Sequence, residues 1–393
     1  MGKNILYIIG AGGSAEFLQD HNNAFLTTKI LTDSLADKES WVKTLSLIKR
    51  SCNSSFRDFD LSIDDFWAIQ KIFNANFDAA YENNQRLSKI TNNFETQIAY
   101  LDFIVEYCKN VKSPRIAKFH PANHCKVQFG DKSCEKLCDC AELRMLPVWA
   151  REVIHQRIND FAIKDEAINI LTAYFAKELD ENSSVNIYSL NYDTLLVSAL
   201  RNLSFLTGFD DKGVFDKVNF LNARHAIAFL HGHQNFYAST NAIQMASDFD
   251  TAFGLRAKAF WTNDHQTITQ KIKSPSFVTG INKEKELQVD VYRFYYAKFI
   301  NDALKADEVC CIGYGCQDDH VNSIIRLFFD LKRQVTFVGN TGNYSGREYL
   351  SRFANGFLNK GNLSIDLSKV RIWRKGAKSF FENNSVDGWA KIK

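Results

Sequence analysis

The chain has 393 residues, of which 45% are hydrophobic, so it is long enough for two or three structural units with a buried core. Its 48 lysine and arginine residues nearly balance its 45 aspartate and glutamate residues, and the absence of a basic block disfavours direct nucleic-acid binding. No apolar run reaches the length of a membrane span, and the first strand begins too early for a signal peptide. We therefore expect a cytoplasmic protein without a membrane partner.

The first predicted element is a strand that ends in a glycine-rich turn. The apolar run of residues 4–9 leads into Gly10-Ala11-Gly12-Gly13-Ser14, which is typical of a strand that enters a helix through a phosphate-binding turn. Glycines at such a turn let the backbone approach a pyrophosphate, whose charge the helix N-terminus stabilises. The same pattern also fits an ordinary tight turn. It therefore predicts a dinucleotide site without establishing one.

A helical pattern separates this first unit from the rest of the predicted sheet. Apolar residues recur at three- and four-residue spacing, which is typical of amphipathic helices, for example at Phe94, Ile98, Leu101 and Ile104 and again at Ile168, Leu171, Tyr174 and Phe175. We predict that residues 36–180 are a helical insertion into a domain formed by residues 1–35 and 181–393. The insertion either covers one side of the sheet or provides a surface for an oligomer or a partner.

Histidine and cysteine residues cluster inside this predicted insertion. His120 and His124 are separated by three residues, and so are Cys134 and Cys138. Each pair can place two ligands on one ion, so a structural zinc site is one interpretation. The other is a loop rich in free thiols, because the C-x2-C pairs that are usual in structural zinc sites do not occur.

Short apolar runs after residue 180 predict five further strands. The runs are 185–190, 226–230, 308–312, 334–338 and 370–373. They are rich in β-branched and aromatic residues and several are separated by helical patterns, which favours an α/β fold with a doubly wound, mostly parallel, Rossmann-like sheet. A ligand site in such a sheet lies at the carboxyl ends of the strands.

Polar or glycine-rich clusters follow four of these predicted strands. They are Asn191-Tyr192-Asp193, His231-Gly232-His233, Gly313-Tyr314-Gly315 with Asp318 and His320, and Gly339-Asn340. Parallel strands bring all four clusters to the edge of the sheet that also carries the glycine-rich turn. Each cluster alone fits a cap or a turn, but together they predict a ligand site.

In this order, the motifs resemble the sirtuin-like NAD-binding domain. They are a GAGxS turn, Asn-Tyr-Asp and Leu-His-Gly after successive strands, Gly-Tyr-x-x-x-Asp-x-His, and an apolar strand followed by Gly-Asn. The resemblance covers residues 1–20 and about 183–380, and within the superfamily it points to the divergent bacterial branch that consumes NAD+ in anti-phage defence. The protein deacylases of the superfamily carry a zinc ribbon built on two C-x2-C pairs, which this chain lacks.

The resemblance implies a role for each matched residue. Asn191 and His231 are expected to be the catalytic pair. The expected cofactor-binding residues are Gly10, Ala11, Gly12 and Ser14 at the pyrophosphate, Gly313 and Tyr314 at a ribose, Asn340 at the adenosine ribose, and Asp193, Asp318 and His320 elsewhere in the pocket. Gly315 stands where the family usually has a serine, so one hydroxyl contact is missing.

The chemistry of NAD+ fits the residues of the predicted catalytic pair. Nicotinamide is bonded to the ribose as a cation and leaves as a neutral molecule, so cleavage needs no general acid. A histidine can accept a proton near neutral pH, and an asparagine can orient water or the ribose. We therefore predict an NAD+ glycohydrolase that depletes NAD+, its substrate, in anti-phage defence. The alternatives are a deacylase or ADP-ribosyl transferase of sirtuin type and an inert sensor that binds NAD+ or ADP-ribose.

An NAD-depleting enzyme must stay silent until it is triggered, because unchecked NAD+ loss kills its own cell. We therefore expect control by homo-oligomerisation or by a separate regulatory protein. The resemblance implies, as candidate partners, a hexameric ATPase of the HerA type or an Argonaute-like protein.

Overall fold

A computed structural model of the chain describes residues 2–19, 141–239, 242–261, 290–316, 318–339, 366–383 and 388–389, two short strands within 127–134, and the single residues 26, 31, 98 and 278. The chain divides into two compact units. The first comprises Met1–Thr27, Asn159–Val278 and Lys283–Lys393, and the second comprises Thr28–Ile158 and Thr279–Asn282. The central sheet lies entirely in the first unit.

The described elements alternate between strands and helices over most of the first unit. The strands are β1 (Asn4–Ile9), β2 (Leu18–Gln19), β3 (Val127–Phe129), β4 (Lys132–Cys134), β5 (Ala162–Ile163), β6 (Ser184–Ser189), β7 (His225–Phe229), β8 (Phe236–Ser239), β9 (Ala242–Met245), β10 (Glu308–Ile312), β11 (Gln334–Val338) and β12 (Val370–Trp373). The helices are α1 (Ala11–Ala15), α2 (Ala141–Asn159), α3 (Asp165–Glu181), α4 (Leu195–Leu200), α5 (Lys217–Asn222), α6 (Phe249–Trp261), α7 (Asp290–Lys305), α8 (Asp319–Asp330) and α9 (Gly376–Asn383), with a 3-10 helix at Leu367–Lys369. Within the part of the chain described, no helix has the length and apolarity that a bilayer crossing requires.

The central sheet has six strands, all parallel, in the order β12-β11-β10-β1-β6-β7. Counted along the chain, these are the sixth, fifth, fourth, first, second and third strands of the sheet. This is the 3-2-1-4-5-6 order of the dinucleotide-binding fold, read from the opposite edge. The strand order reverses between β1 and β10, which makes the carboxyl ends of these two strands the topological switch point. The protein therefore has the predicted Rossmann-like α/β fold.

Most of these strands are short, largely apolar runs, and β1 shows burial on both faces most clearly. In β1, the four residues from Leu6 to Ile9 are all 2% exposed or less. Successive side chains of a strand point to opposite faces, so helices must cover both sides of the sheet here. Each of the five strands predicted after residue 180 forms within one residue of its expected bounds.

The division of the chain into compact units differs from the predicted boundary of the insertion. Residues 36–180 were expected to form the insertion, but the chain from Asn159 onward, including α3, belongs with the sheet. The reason is a cluster of aromatic side chains. The Tyr7 ring of β1 contacts the rings of Tyr174 and Phe175 of α3, at centroid distances of 6.3 and 5.3 Å. Most of residues 36–140 lie outside the described residues.

The contact between β1 and α3 contains a buried carboxyl group. The Tyr7 hydroxyl donates a hydrogen bond to Glu178 Oε2 at 2.6 Å and lies 3.2 Å from the Tyr174 hydroxyl. Burial raises the pKa of Glu178 from its usual 4.5, and the hydrogen bond from Tyr7 offsets only part of that rise. The folded state therefore holds this proton more tightly than the unfolded chain.

This raised pKa predicts how the stability of a Glu178→Gln variant depends on pH. The protonated carboxyl group is favoured on folding below pH 4.5, and that contribution is lost as the pH rises through the raised pKa of the folded state. Glutamine stays neutral at every pH and can still accept the hydrogen bond from Tyr7. The melting temperature of the variant should therefore rise relative to that of wild type as the pH increases. Thermal melts between about pH 4 and pH 8 measure the difference. Asp180→Asn, on the same helix and exposed, is the control. A stability difference between Glu178→Gln and wild type that is constant with pH would contradict the prediction.

Candidate functional site

The residues predicted to form the site follow the carboxyl ends of neighbouring strands. Gly10 directly follows β1 and Gly313 directly follows β10, whereas Asn191 and His231 each lie two residues after the end of β6 and β7. The loops after β6 and β7 are joined by two backbone hydrogen bonds, from Leu230 N to Ser189 O and from Gln234 N to Tyr192 O, both 2.9 Å. These bonds bracket Asn191 and His231, which therefore lie on neighbouring loops. Asn340 lies outside the described residues.

The glycine-rich turn is in direct backbone contact with Gly313 at the topological switch point. The Gly12 N–H donates to Gly313 O at 3.0 Å, and the Gly10 N–H donates to Ile312 O at 2.9 Å. A Cβ atom on Gly12 would lie 3.0 Å from Gly313 Cα, and one on Gly313 would lie 1.9 Å from Gly13 N. Gly313 also has a φ of +59°, which favours glycine. The glycines are required here because two loops meet backbone to backbone.

The backbone contact with Gly313 explains the glycines of the turn without a ligand, whereas the sequence analysis assigned them to phosphate binding. The helix that follows the turn, α1, has only five residues, and the Gly13 N–H is bonded to Gly10 O at 2.7 Å. Ala11 and Gly12 are the exposed residues of the turn, whereas Gly13 and Ser14 are buried. A pyrophosphate on Ala11 and Gly12 stays a prediction.

Asn191 holds the turn in place through its side-chain amide. Nδ2 donates to Gly10 O at 3.0 Å and to Ser14 Oγ at 2.7 Å, and all the side chains of this group are buried. The Ser14 hydroxyl is in turn bonded to the carboxylate of Asp193. Burial raises the pKa of Asp193, and hydrogen bonds from Leu195 N and Ser14 offset part of the rise. Asn191, Ser14 and Asp193 thus form one buried network beneath the turn.

The second polar group of the site consists of His231, His320 and Asp318. The Nε2 atoms of the two histidines are 3.1 Å apart, and Asp318 Oδ1 lies 3.8 Å from His231 Nε2. His231 is 2% exposed and His320 is 4% exposed, so the rings face each other away from water. Neighbouring nitrogens at this distance can share one proton or one bound cation.

His320 reaches His231 although their strands are not neighbours. Two other strands, β1 and β6, separate β10 from β7 in the sheet, which is a distance of about 14 Å at the usual strand spacing. The loops after β7 and β10 must therefore together cross the carboxyl ends of those strands. Sequence analysis placed His320 in the pocket but gave no indication that it contacts His231.

Tyr314 and Asn322 fix the conformation of this crossing segment. Tyr314 Oη donates to Asn322 Oδ1 at 2.9 Å and accepts from Asp318 N at 3.2 Å. Asn322 Nδ2 donates to Cys316 O at 3.0 Å. Burial raises the pKa of Tyr314, so its hydroxyl stays protonated. Asn322 was missed by sequence analysis, where its only signal was a polar residue on the buried face of α8.

His233 is an uncharged core residue. Burial lowers its pKa to about 3, and its ring lies 4.5 Å from the Phe229 ring, measured between centroids. Its Nδ1 accepts from Asn235 N at 3.1 Å. The same loop is held by Arg256, a residue that sequence analysis missed, whose guanidinium donates to Gln234 O and Phe236 O. These contacts make His233 a structural residue of the loop after β7.

The zinc site predicted from the cysteine and histidine spacing is not tested by the structure. His120, His124 and Cys138 lie outside the described residues, and only the backbone of Cys134 is described, in β4. Among the described residues, the group of possible metal ligands is the one formed by His231, Asp318 and His320.

Comparison with known proteins adds no family assignment. No protein-family model matches the chain, and no curated protein matches it. The fold and the loops at its switch point define the class, a Rossmann-like α/β protein with polar groups at the carboxyl edge of a parallel sheet. The likeness to the sirtuin-like NAD-binding domain remains a prediction from the sequence motifs.

Proposed function

We propose that the protein is an NAD+ glycohydrolase that depletes NAD+ in anti-phage defence, producing nicotinamide and ADP-ribose. The observation that carries the proposal is a buried histidine pair at the carboxyl edge of a sheet with the strand order of dinucleotide-binding folds. The glycine turn and Gly313 meet at the switch point, where such folds bind their ligand. The order of the sequence motifs supports the choice of NAD+ over other dinucleotides.

In the proposed reaction, the bond between the nicotinamide nitrogen and the ribose C1′ breaks, and the bonding electrons leave with neutral nicotinamide. Water adds to the oxocarbenium-like centre at C1′ and must release one proton. His231 is the proposed proton acceptor, with His320 and Asp318 beside it to share or balance the resulting charge. The products are nicotinamide, ADP-ribose and that proton.

Asn191 is proposed to act as a positioning residue for the dinucleotide. Its amide donates to Gly10 O and Ser14 Oγ, so it controls the shape of the turn on which a pyrophosphate would lie. Errors of about 1 Å in the position of a bound substrate can reduce a reaction rate about 100-fold. This role differs from the water-orienting role expected from the sequence, because both amide hydrogens are directed into the protein.

The proposed effector must be held inactive before infection. We propose that a homo-oligomer, or a regulatory partner such as a HerA-type ATPase or an Argonaute-like protein, provides this control. Two alternatives to the hydrolase remain, a deacylase or ADP-ribosyl transferase and an inert sensor of NAD+ or ADP-ribose.

One assay separates these activities. Purified full-length protein is incubated with NAD+, alone and with each candidate partner, and nicotinamide, ADP-ribose and intact NAD+ are quantified. Equal amounts of nicotinamide and ADP-ribose without any acceptor are the expected result. Nicotinamide release that requires an acylated peptide or an acceptor protein would replace the proposal with the deacylase or transferase. Recovery of all NAD+ intact from a stoichiometric complex would replace it with the sensor.

A further inference from the structure

Three potential metal-ligand atoms converge beside the carboxyl ends of the sheet strands. They are His231 Nε2, His320 Nε2 and a carboxylate oxygen of Asp318, and all lie within 4.8 Å of one another. They come from two distant parts of the chain, the loop after β7 and the start of α8. The histidines are buried and their Nε2 atoms face each other at 3.1 Å, so the two nitrogens can share one proton or bind one cation together.

The spacing of these atoms fits one small cation. Histidine nitrogens bind zinc at about 2.0–2.1 Å and carboxylate oxygens at about 2.0–2.2 Å, so two ligands at a tetrahedral angle are about 3.3 Å apart. The observed Nε2–Nε2 distance is 3.1 Å, and the distance from His231 Nε2 to Asp318 Oδ1 is 3.8 Å. These two values lie on either side of the tetrahedral spacing, and sub-ångström movements of the side chains would close the site.

We propose that His231, Asp318 and His320 bind one divalent transition-metal ion of the zinc type. Two neutral imidazoles and one carboxylate are a ligand set that zinc and its neighbours in the first transition series accept. With three protein ligands, a tetrahedral ion keeps one position for water or another small ligand. This ligand set shares no residue with the zinc ligands predicted from the sequence, His120, His124, Cys134 and Cys138.

The protein backbone around the proposed ligands is already fixed by hydrogen bonds. Asp318 N donates to Tyr314 Oη at 3.2 Å, and Ser323 Oγ donates to His320 O at 2.8 Å. Tyr314 is held in turn by Asn322. Outer contacts of this kind orient metal ligands and raise affinity, so the ligand set is preorganised on its rigid helix start.

A bound ion would also control the proposed reaction, and this consequence rests on the proposed function. The ion occupies Nε2 of His231, which then cannot accept a proton. The metal-loaded protein is therefore the silent form, and removal of the metal makes the histidine available.

Metal binding is tested on the full-length protein without NAD+. Chelator-treated wild type, His320→Ala and Asp318→Asn proteins are dialysed against zinc, and bound zinc is measured by elemental analysis. Each variant should bind one equivalent less than wild type, or bind that equivalent at least about tenfold more weakly. Cobalt bound at this site in wild type should give visible absorption bands. The spectrum of this cobalt equivalent should contain no thiolate charge-transfer band, because the proposed ligands include no cysteine.

The controls separate this site from other ligands and from unfolding. His225→Ala removes a histidine at the opposite end of the same strand and should bind zinc like wild type. Cys134→Ser tests the separate zinc site predicted from the cysteine and histidine spacing. This variant should still bind the zinc equivalent that His320→Ala loses. Circular dichroism in the presence of chelator verifies that each variant is folded. If His320→Ala does not fold, Asp318→Asn provides the test of the metal site. Equal zinc content in wild type and a folded ligand variant would overturn the proposal.

The activity measurement separates the metal site from the proposed function. Zinc added to chelator-treated wild type should lower nicotinamide release in parallel with occupancy of the site. If the metal-free protein and its activated complexes cleave no NAD+, the proposed function is wrong. The zinc-binding measurement still shows whether the metal site exists. If zinc fills the site and nicotinamide release is unchanged, the inhibitory role is overturned.

Discussion

Gly313→Ala is expected to destabilise the switch point of the sheet severely, whereas Gly315→Ala two residues later should have little effect. A Cβ atom on Gly313 would lie 1.9 Å from Gly13 N and 2.1 Å from Gly12 C, and both are backbone atoms that no rotamer change can move. The residue also has a φ of +59°, where an alanine costs about 1–2 kcal/mol. Together with overpacking, the expected loss is about 2–5 kcal/mol of unfolding free energy.

Thermal or denaturant unfolding measures this loss, which corresponds to a fall in melting temperature of about 4–10 °C at about 2 °C per kcal/mol. Gly315→Ala is the matched control, because a Cβ atom there meets nothing within 4 Å. Its change in stability should stay within about 0.5 kcal/mol. Equal stability of the two variants would mean that the glycine turn and the loop after β10 do not meet as described.

The second large effect is expected on NAD+ cleavage. His231→Ala removes the proposed proton acceptor and should reduce nicotinamide release by about 10²- to 10⁴-fold. Asn191→Ala removes the two side-chain hydrogen bonds from Asn191 to the turn, so it should raise KM for NAD+ as well as lower kcat, by about 100-fold in kcat/KM. The separate effects on KM and kcat distinguish a residue that positions the substrate from one that takes part in proton transfer.

These rates are measured on chelator-treated protein in its activated complex, with initial nicotinamide release as the readout. His225→Ala is the matched control, since this histidine stands at the amino end of β7, where its Nδ1 accepts from Val185 N. It should keep the wild-type rate. Wild-type NAD+ loss in both His231→Ala and Asn191→Ala would remove the basis for the proposed catalytic site.

If the proposed metal site and reaction both hold, the protein would combine destruction of NAD+ with a simple restraint. The nitrogen of His231 that accepts a proton in the reaction is the one that the metal would occupy. A trigger that moves Asp318 or His320 away from His231 would weaken metal binding and release this nitrogen. Partner binding at the start of α8 is one way to produce such a shift.

The sequence by itself determined the strands and the positions of the polar loops. A strand in a doubly wound sheet is buried on both faces, so it is an unbroken apolar run that local composition reveals. The carboxyl end of each such run then indicates where Asn191, His231 and Gly313 must emerge. Because parallel strands share their direction, the common edge of these residues followed without knowledge of any contact.

Only the tertiary structure decided which of these residues touch. His231 and His320 are 89 residues apart, and their contact depends on loops that together span two intervening strands of the sheet. The contact of Gly12 with Gly313 and the use of the Asn191 amide inside the protein likewise depend on how the loops meet. The assignment of α3 to the sheet depends on aromatic rings brought together across the fold. Sequence periodicity records burial along one segment, whereas these contacts arise from the order in which distant segments lie side by side.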